Sequence, residues 1–446
     1  MTGLLTDLYQ LTMAAGYFEA GKHEDRAVFE LFFRRLPANR NYVIAAGLQQ
    51  VVDYLANLRF RPEEVEYLRS LAQFRSVQDA FFEELLRFCF RGDLYAIAEG
   101  TPVFAEEPLL TVRAPLLQAQ IVETYLLATV GFQSLIATKA ARICEVAGKR
   151  GVVEFGTRRA HSPQAGVLAA RAAYIGGCIG TSNTEAGYRY GIPVFGTAAH
   201  SWVQSFASER ESYERLQRLL GPETIYLIDT YDTIAGAQLA ASLGKPLWGV
   251  RLDSGNLVEL SREVRRILDD AGLREAKIMA TSDLNEYKIL EFMAAGAPLD
   301  GFGVGTDLAT SADAPAIGAV YKLVELEENG GRRYTAKLSE GKHTRPGMKQ
   351  VFRYADHDEI ARAAECGTDP GNAVPLIRPV MVGGELVEPL PDVHAARQNA
   401  RESLDRLPIA CRSLFEAEQE YPVEYSPELK RLSEGVLAEL NTEAQR

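Results

Sequence analysis

Four neighbouring residues of the segment VRLDSG could together do chemistry. Arg251, Asp253, Ser254 and Gly255 supply a cation, a carboxylate, a hydroxyl and a bare backbone within five residues. A ribose phosphate and its metal ion would need such a mixture. A plainer alternative is that Asp253 or Ser254 caps the following helix while Arg251 pairs with a neighbouring acid. The segment therefore indicates a polar site and leaves the role of each residue open.

A second candidate segment, GFGVGT, ends in glycines. Gly303 and Gly305, followed by Thr306, leave backbone N–H groups free to converge on an anion. This pattern favours a phosphate-binding site. Glycines also end strands for steric reasons alone, so the motif is weak by itself.

One histidine lies in a segment of the same kind. His200 follows Thr197 by three residues in FGTAAHSWVQSF and is one of six histidines in the chain. A lone histidine is more often a satisfied structural residue than a catalyst. Beside a phosphate site, however, a neutral imidazole could serve as general base, metal ligand or phosphoryl acceptor, and spacing alone does not choose among these roles.

Two basic clusters stand apart from these segments. They contain Arg34, Arg35 and Arg40 in FFRRLPANRNY, and Lys342, Lys349 and Arg353 in GKHTRPGMKQVFR. Solvated surface charge is the usual interpretation of such clusters. The Pro346–Gly347 turn, with Lys349 close behind it, could instead present cations to a polyanion such as pyrophosphate.

Repeated β–α units must position the first three segments. Between about residues 151 and 306, short apolar runs end in Gly, Thr, Asp or Ser and lead into helical patterns. The predicted strand ends are 154–156, 180–183, 195–197, 228–230, 251–255, 281–283 and 303–306. Seven parallel strands in an incomplete, TIM-like β/α barrel fit this pattern, with the site at the C-terminal rim. A doubly wound open sheet would also place the polar residues at the carboxyl ends of its strands.

The remaining segments predict an additional α+β domain, which gives an α/β protein overall. Helical patterns cover 9–18 and 48–58, strand patterns cover 28–33 and 108–112, and Gly383–Gly384 forms a probable hairpin turn. We predict an N-terminal α+β domain at 1–130, the barrel with the active site at 131–330, and a C-terminal segment at 331–446. The C-terminal segment is expected to pack partly back on the N-terminal domain.

Composition excludes several classes of protein. The 446 residues carry 48 basic and 60 acidic side chains and no long Lys/Arg run, so we expect no nucleic-acid partner. No apolar stretch reaches the roughly 20 residues of a membrane span, and the N-terminus lacks the basic leader of a signal peptide. The five scattered cysteines include no Cys-x-x-Cys pair, which predicts reduced thiols, a cytoplasmic location and no structural zinc.

Taken together, the motifs resemble the nicotinate phosphoribosyltransferase family across almost the whole chain. The matching segments are TDLYQLTMA, FFRRLPANRNYVIAAGL, EFGTRRAHSPQAG, GTSNTEAG, PVFGTAAHSWVQSF, DTYDT, GVRLDSGNL, GFGVGT with AIGAVYKLVE, and HTRPGMKQVFR. The resemblance implies that nicotinate condenses with phosphoribosyl pyrophosphate to give nicotinate mononucleotide and pyrophosphate in NAD biosynthesis. It also implies ATP as co-substrate, Mg²⁺, and a homodimer with active sites at the subunit interface.

The resemblance also assigns roles to individual residues. The catalytic pair would be His200, transiently phosphorylated by ATP, and Asp253. The expected nicotinate-binding residues are Tyr9, Phe155, Thr197 and Arg251, with Tyr9 reaching the other subunit's site. The expected phosphoribosyl-binding residues are Arg158, Ser254, Gly255, Ser282, Gly305 and Thr306. The weaker candidates for pyrophosphate contacts are Arg40, Lys349 and Arg353.

Three alternative functions remain at this stage. The chain could use nicotinamide, or it could use quinolinate, although a second carboxylate would require extra cations. It could also be a catalytically silent relative that only binds a ligand. The joint presence of His200, Arg251, Asp253 and Thr306 argues against the silent relative, and competition among the three pyridines would separate the enzymes.

Overall fold

The chain forms two compact units. The computed structural model describes residues 2–328, 330–337, 344–415 and 420–444, so Lys342 of the second basic cluster lies outside the described residues. Unit 1 comprises Met1–Ser134, Ala316–Asp392 and Glu402–Arg446. Unit 2 comprises Leu135–Pro315 and Val393–Arg401.

Strands and helices alternate along most of the chain. The strands are β1 Arg26–Phe33, β2 Val43–Ile44, β3 Asp93–Ile97, β4 Pro102–Val103, β5 Pro108–Pro115, β6 Gly151–Glu154, β7 Gly180–Thr181, β8 Ile225–Leu227, β9 Gly249–Leu252, β10 Lys277–Ala280, β11 Gly301–Val304, β12 Ala319–Glu328, β13 Gly331–Tyr334, β14 Lys349–Arg353, β15 Asp358–Arg362, β16 Val374–Pro375, β17 Ile377–Val382, β18 Glu385–Leu386 and β19 Val423–Tyr425. The α-helices are α1 Leu8–Glu19, α2 Leu48–Asn57, α3 Pro62–Ser70, α4 Asp79–Leu86, α5 Leu116–Ile121, α6 Glu123–Ala147, α7 Pro163–Ile175, α8 Thr184–Tyr190, α9 His200–Gln204, α10 Glu209–Leu220, α11 Thr233–Leu243, α12 Leu257–Asp270, α13 Glu286–Ala294, α14 Thr306–Thr310, α15 Val393–Arg406 and α16 Pro427–Ala444.

Unit 1 is built on a seven-stranded sheet with the order β13-β12-β1-β5-β3-β17-β18. Its pairings are antiparallel, and β1 lies between β12 and β5. Seven of the eight residues of β1 are buried, as expected for the centre of a sheet that is covered on both faces. Gly383 and Gly384, at φ 60° and 85°, turn β17 into β18, so the predicted hairpin is confirmed.

Unit 2 is built on a parallel sheet of six strands with the order β7-β6-β11-β10-β9-β8. Strands β6 to β11 follow one another as they would around a ring, because β11 pairs with β6. The ring is interrupted between β7 and β8, which are the two edge strands. The prediction of seven strands is wrong for 195–197, because the chain there makes only an isolated bridge, between Val194 and Thr181. Among the described residues no pairing joins the two edge strands, so the sheet is open and the TIM-like barrel is not confirmed. The mixed α/β class with a parallel sheet is confirmed.

Helix α12 shows how a β–α unit in unit 2 assembles. The helix packs inward through Leu257, Val264 and Leu268, which are buried. The helix is capped by Asn256, whose side chain accepts a hydrogen bond from the N–H of Glu259, and not by Asp253 or Ser254. Those two residues are therefore free for other contacts.

None of the helices in the described residues is both long enough and apolar enough to cross a lipid bilayer.

Candidate active site

Backbone hydrogen bonds between the strands of unit 2 place the candidate residues along one edge of its sheet. Beyond the last paired residues, Phe155 N–H donates to Val304 O at 2.8 Å and Thr281 N–H donates to Leu252 O at 2.9 Å. These hydrogen bonds continue the pairing into the segments that follow the strands. Parallel strands end at the same edge, so the side chains after β6, β8, β9, β10 and β11 gather there.

His200 lies between a hydroxyl and a carboxylate. Its Nδ1 atom is 3.2 Å from Thr230 Oγ1, and its Nε2 atom is 3.8 Å from Asp253 Oδ2. His200 is the first residue of α9. Its side chain is 42% exposed, so a ligand can reach the imidazole. The Thr281 hydroxyl also donates to the Asp253 carboxylate, which fixes the orientation of that acid.

Asp229 is part of this cluster, although no role was predicted for it. Its Oδ2 atom accepts hydrogen bonds from the Asp253 N–H at 3.2 Å and from the Ser254 hydroxyl at 2.5 Å. Its Oδ1 atom is buried and has no hydrogen-bond partner in the structure. The position of Asp229 directly after the β8 segment was the available signal, but many polar residues after strands only cap helices.

Arg251 points from β9 to the segment that carries His200. Its guanidinium donates to Thr197 Oγ1 at 2.5 Å, and its Nε atom is buried without a hydrogen-bond partner. Burial lowers the pKa of Arg251, while Asp253 and Asp229 oppose that shift. An arginine remains charged even so, which leaves a partly desolvated cation with an unused donor.

The Phe155 ring packs closely against β11. A Cβ atom on Gly303 would lie 2.6 Å from Phe155 Cδ2 and 2.7 Å from Thr281 Cγ2, so only glycine fits there. Below the ring, the buried Glu154 carboxylate accepts hydrogen bonds from Thr181 Oγ1, at 2.6 Å, and from the Gly156 N–H. Burial raises the pKa of Glu154. These contacts fix the backbone on both sides of Phe155.

The predicted phosphate-binding residues follow strands at the same edge. Arg158, Ser254, Gly255, Ser282 and Thr306 are exposed, and Gly305 is half-buried. Ser282 has a φ of 90° and Gly255 a φ of 80°. A non-glycine residue such as Ser282 is strained in this region and keeps the conformation only when its surroundings enforce it.

Four predicted site residues belong to unit 1. Tyr9 is 49% exposed on α1. Arg40 is buried. Lys349 lies 2.6 Å from Glu30 Oε2, and Arg353 binds the Asp358 carboxylate through Nε at 2.9 Å. Lys349 and Arg353 of the second basic cluster are thus not solvated surface charges, since each pairs with a fully buried acid, and their contact with pyrophosphate stays a prediction.

The fold and the site in unit 2 define a class of protein. An imidazole, two carboxylates, a guanidinium and exposed loop amides at the carboxyl ends of parallel strands are typical of an α/β enzyme that acts on a small anionic molecule.

Comparison with known proteins identifies the family. Residues 4–131 match the nicotinate phosphoribosyltransferase N-terminal domain, residues 151–332 match the nicotinate phosphoribosyltransferase family, and residues 343–433 match the C-terminal domain. Nicotinate phosphoribosyltransferase pncB2 of Mycobacterium tuberculosis is 44% identical over 450 residues, which cover 98% of this chain and 95% of the relative. The Bacillus subtilis nicotinate phosphoribosyltransferase is 46% identical over 359 residues, 78% of this chain and 72% of the relative.

A solved structure agrees with the sequence matches. Human nicotinic acid phosphoribosyltransferase superposes with a TM-score of 0.85 at 31% identity, over 97% of this chain and all of the human one. The chain belongs to the nicotinate phosphoribosyltransferase family, and the family predicted from the motifs is confirmed.

Proposed function

We propose that this protein condenses nicotinate with phosphoribosyl pyrophosphate, giving nicotinate mononucleotide and pyrophosphate, with ATP hydrolysis coupled through His200. The observation that carries the proposal is the cluster that His200, at the start of α9, forms with three residues at the ends of β8 and β9, namely Asp229, Arg251 and Asp253. One mononucleotide has the size and charge to contact such a cluster.

Arg251 is proposed to bind the nicotinate carboxylate. Its unpartnered Nε and its burial support this role, because a desolvated guanidinium gains more from a carboxylate than a solvated one does. At about 4 Å, one such cation contributes roughly 1–4 kcal/mol, depending on solvent access. The Arg251–Thr197 hydrogen bond holds the guanidinium in place. Phe155 would stack on the flat pyridine ring.

The reaction needs no general base. The pyridine nitrogen of nicotinate already carries a lone pair, which attacks the anomeric carbon of the ribose as the bond to pyrophosphate breaks. Alignment of the two substrates and stabilisation of a cationic sugar are therefore the tasks of the protein. The carboxylates of Asp229 and Asp253 face the site with the charge that such a sugar requires.

The same two carboxylates fit Mg²⁺. Asp229 Oδ1 is a buried oxygen without a hydrogen-bond partner, and Asp253 stands beside it. Magnesium prefers oxygen ligands and is often bound by one or two carboxylates together with substrate phosphates. Asp229 and Asp253 would hold the ion, which when bound disperses the negative charge of the pyrophosphate.

His200 is proposed to accept the terminal phosphoryl group of ATP. If Nδ1–H donates to Thr230, the lone pair of Nε2 attacks phosphorus, the N–P bond forms, and the P–O bond to ADP breaks. Water later cleaves the N–P bond and releases phosphate. Protein treated with ATP should carry acid-labile phosphate on His200, and a mass spectrum without it would contradict this step.

We further propose a homodimer in which Tyr9 reaches the site of the other subunit. Leu5, Leu8, Tyr9 and Met13 form an exposed, largely apolar row on and just before α1, which supports a protein partner on this surface. Mixing inactive Tyr9→Ala and His200→Asn proteins should then restore activity, to about a quarter of wild type if subunits exchange at random. Sites that are complete within one subunit would give no recovery. A cytoplasmic location remains a prediction from the sequence.

The decisive experiment measures pyrophosphate release from phosphoribosyl pyrophosphate with nicotinate, nicotinamide or quinolinate as the second substrate. We expect release that depends on nicotinate and rises with ATP. Preference for either other pyridine would favour that alternative enzyme, and no release with any of them would favour a silent relative.

A further inference from the structure

A buried ion-pair network lies behind two loops of the active site in unit 2. The Lys139 ammonium, on α6, is 2.7 Å from Glu286 Oε2 and 2.8 Å from Asp313 Oδ1. Arg142, one turn further along α6, is 3.1 Å from Glu286 Oε1 through its Nε atom. The side chains of Lys139, Arg142 and Glu286 are all at most 2% exposed.

The acids of this network lie just beyond the two segments with predicted phosphate-binding residues. Glu286 begins α13 directly after the loop that contains Ser282. Asp313 follows α14, which begins at Thr306. A second link joins the same loops, because Asn285 Nδ2 donates to Asp307 Oδ2 at 2.8 Å. Lys139 therefore connects both loops to one buried helix.

The backbone of these loops needs such support. Ser282, Asp283 and Ser311 have φ angles of 90°, 44° and 44°. Side chains other than glycine adopt this region at a cost and stay there when the surrounding contacts determine the conformation. The carboxylates held by Lys139 are the ionic contacts nearest in sequence to these strained residues.

We propose that Lys139 is a positioning residue, which sets the two loops so that they bind the 5-phosphate of the phosphoribosyl substrate. This inference rests on the proposed function. Lys139 itself contacts no substrate and acts through Glu286 and Asp313. A purely structural network would affect stability alone, whereas a positioning network also sets the affinity for a phosphate ester.

A substitution of Asp313 tests the positioning role with the least disturbance of the buried network. Its side chain is 32% exposed, so Asp313→Asn weakens the contact with Lys139 while Lys139 stays paired with Glu286. Lys139→Met would leave the buried Glu286 with Arg142 but without its ammonium partner, and would endanger folding. Asp300→Asn is a matched control, because Asp300 is 34% exposed and pairs with Lys277 at 3.5 Å at the opposite, amino-terminal ends of β10 and β11.

The experiment measures binding of ribose 5-phosphate by calorimetry, together with KM and kcat for both substrates. We expect Asp313→Asn to raise the Kd for ribose 5-phosphate and the KM for phosphoribosyl pyrophosphate about ten-fold. The KM for nicotinate should change less than about two-fold, and Asp300→Asn should leave all these constants near wild type. Lys139→Arg, which retains the charge, should bind ribose 5-phosphate more tightly than Asp313→Asn does.

Two results would overturn the inference. An unchanged Kd in Asp313→Asn would leave the network a structural role only, and an equal loss in Asp300→Asn would mean that the effect is not specific to these loops. If the wild-type protein itself neither binds ribose 5-phosphate nor releases pyrophosphate, the proposed function fails as well. If the wild-type protein is active and Asp313→Asn binds ribose 5-phosphate with an unchanged Kd, the positioning role is refuted and the proposed function stands.

Discussion

The Nε2 atom of His200, at the start of α9, lies 3.8 Å from the Oδ2 atom of Asp253, which follows β9. The carboxylate is in turn oriented by the Thr281 hydroxyl. A negative charge at this distance stabilises a positive charge that develops on the imidazole or on the sugar. Removing the charge of Asp253 therefore tests whether it acts in the reaction.

Asp253→Asn keeps the shape of the side chain and removes its charge. We expect kcat for nicotinate mononucleotide formation to fall about 10²–10³-fold, as when other groups that stabilise a transition-state charge are removed. Initial rates at saturating substrates measure this effect. Asp270→Asn, on the exposed side of α12, is the control and should retain wild-type kcat. A kcat in Asp253→Asn close to that control would exclude an electrostatic role.

Arg251→Gln removes the cation proposed to select the acid over the amide. We expect kcat/KM for nicotinate to drop by at least about ten-fold, because a charged interaction of more than about 1.4 kcal/mol is lost. The value for nicotinamide, which has no carboxylate, should change less than about three-fold. Arg218→Gln, in the exposed last turn of α10, controls for loss of a positive charge. An equal decrease of kcat/KM for both pyridines would mean that Arg251 does not bind the carboxylate.

Gly303→Ala should displace the Phe155 ring. The new Cβ would lie 2.6 Å from that ring, closer than real Cβ contacts, so the ring or strand β11 must shift. We expect the KM for nicotinate to rise several-fold, read from steady-state rates. Gly301→Ala lies in the same strand, where the added Cβ would be 3.3 Å from Gly151 O, and should have a smaller effect. If the two variants behave alike, Phe155 does not form the wall of the pyridine site.

Lys349→Met should destabilise unit 1. The variant leaves the Glu30 carboxylate buried and unpaired, a change that typically costs about 3–5 kcal/mol at neutral pH. Urea unfolding measures the loss. The double variant Lys349→Met/Glu30→Leu, which removes both charges, should recover most of it, and failure to recover would show that lost packing, not the stranded charge, is responsible.

The loss of stability in Lys349→Met should depend on pH. Burial raises the pKa of Glu30, and Lys349 opposes that shift. The folded state therefore binds this proton more tightly than the unfolded state, and the resulting stability is lost as pH rises through the folded-state pKa. Without Lys349 the pKa rises further. We expect the deficit of Lys349→Met to shrink as the pH is lowered from 8 to about 5, and a constant deficit would contradict this account.

The sequence predicted those features that depend on local patterns. The Gly383–Gly384 hairpin follows from turn preferences, which act between close neighbours. The family followed from motifs spread over the chain, and with it the group of His200, Arg251 and Asp253. The strand expected to end at 195–197 was wrong, because a short apolar run does not show whether it will pair with its neighbour over more than one residue.

The tertiary structure decided which polar residues face one another. Asp232, Asn256 and Asn285 cap helices a few residues after strands, whereas Asp229 and Asp253 lie just after strands and contact each other. Arg251 meets Thr197 from 54 residues away, and Lys349 meets Glu30 from 319. The sequence by itself determined the types of residue and the local elements. Only the folded chain decided their partners and whether the sheet closes, because those contacts join segments that no local pattern connects.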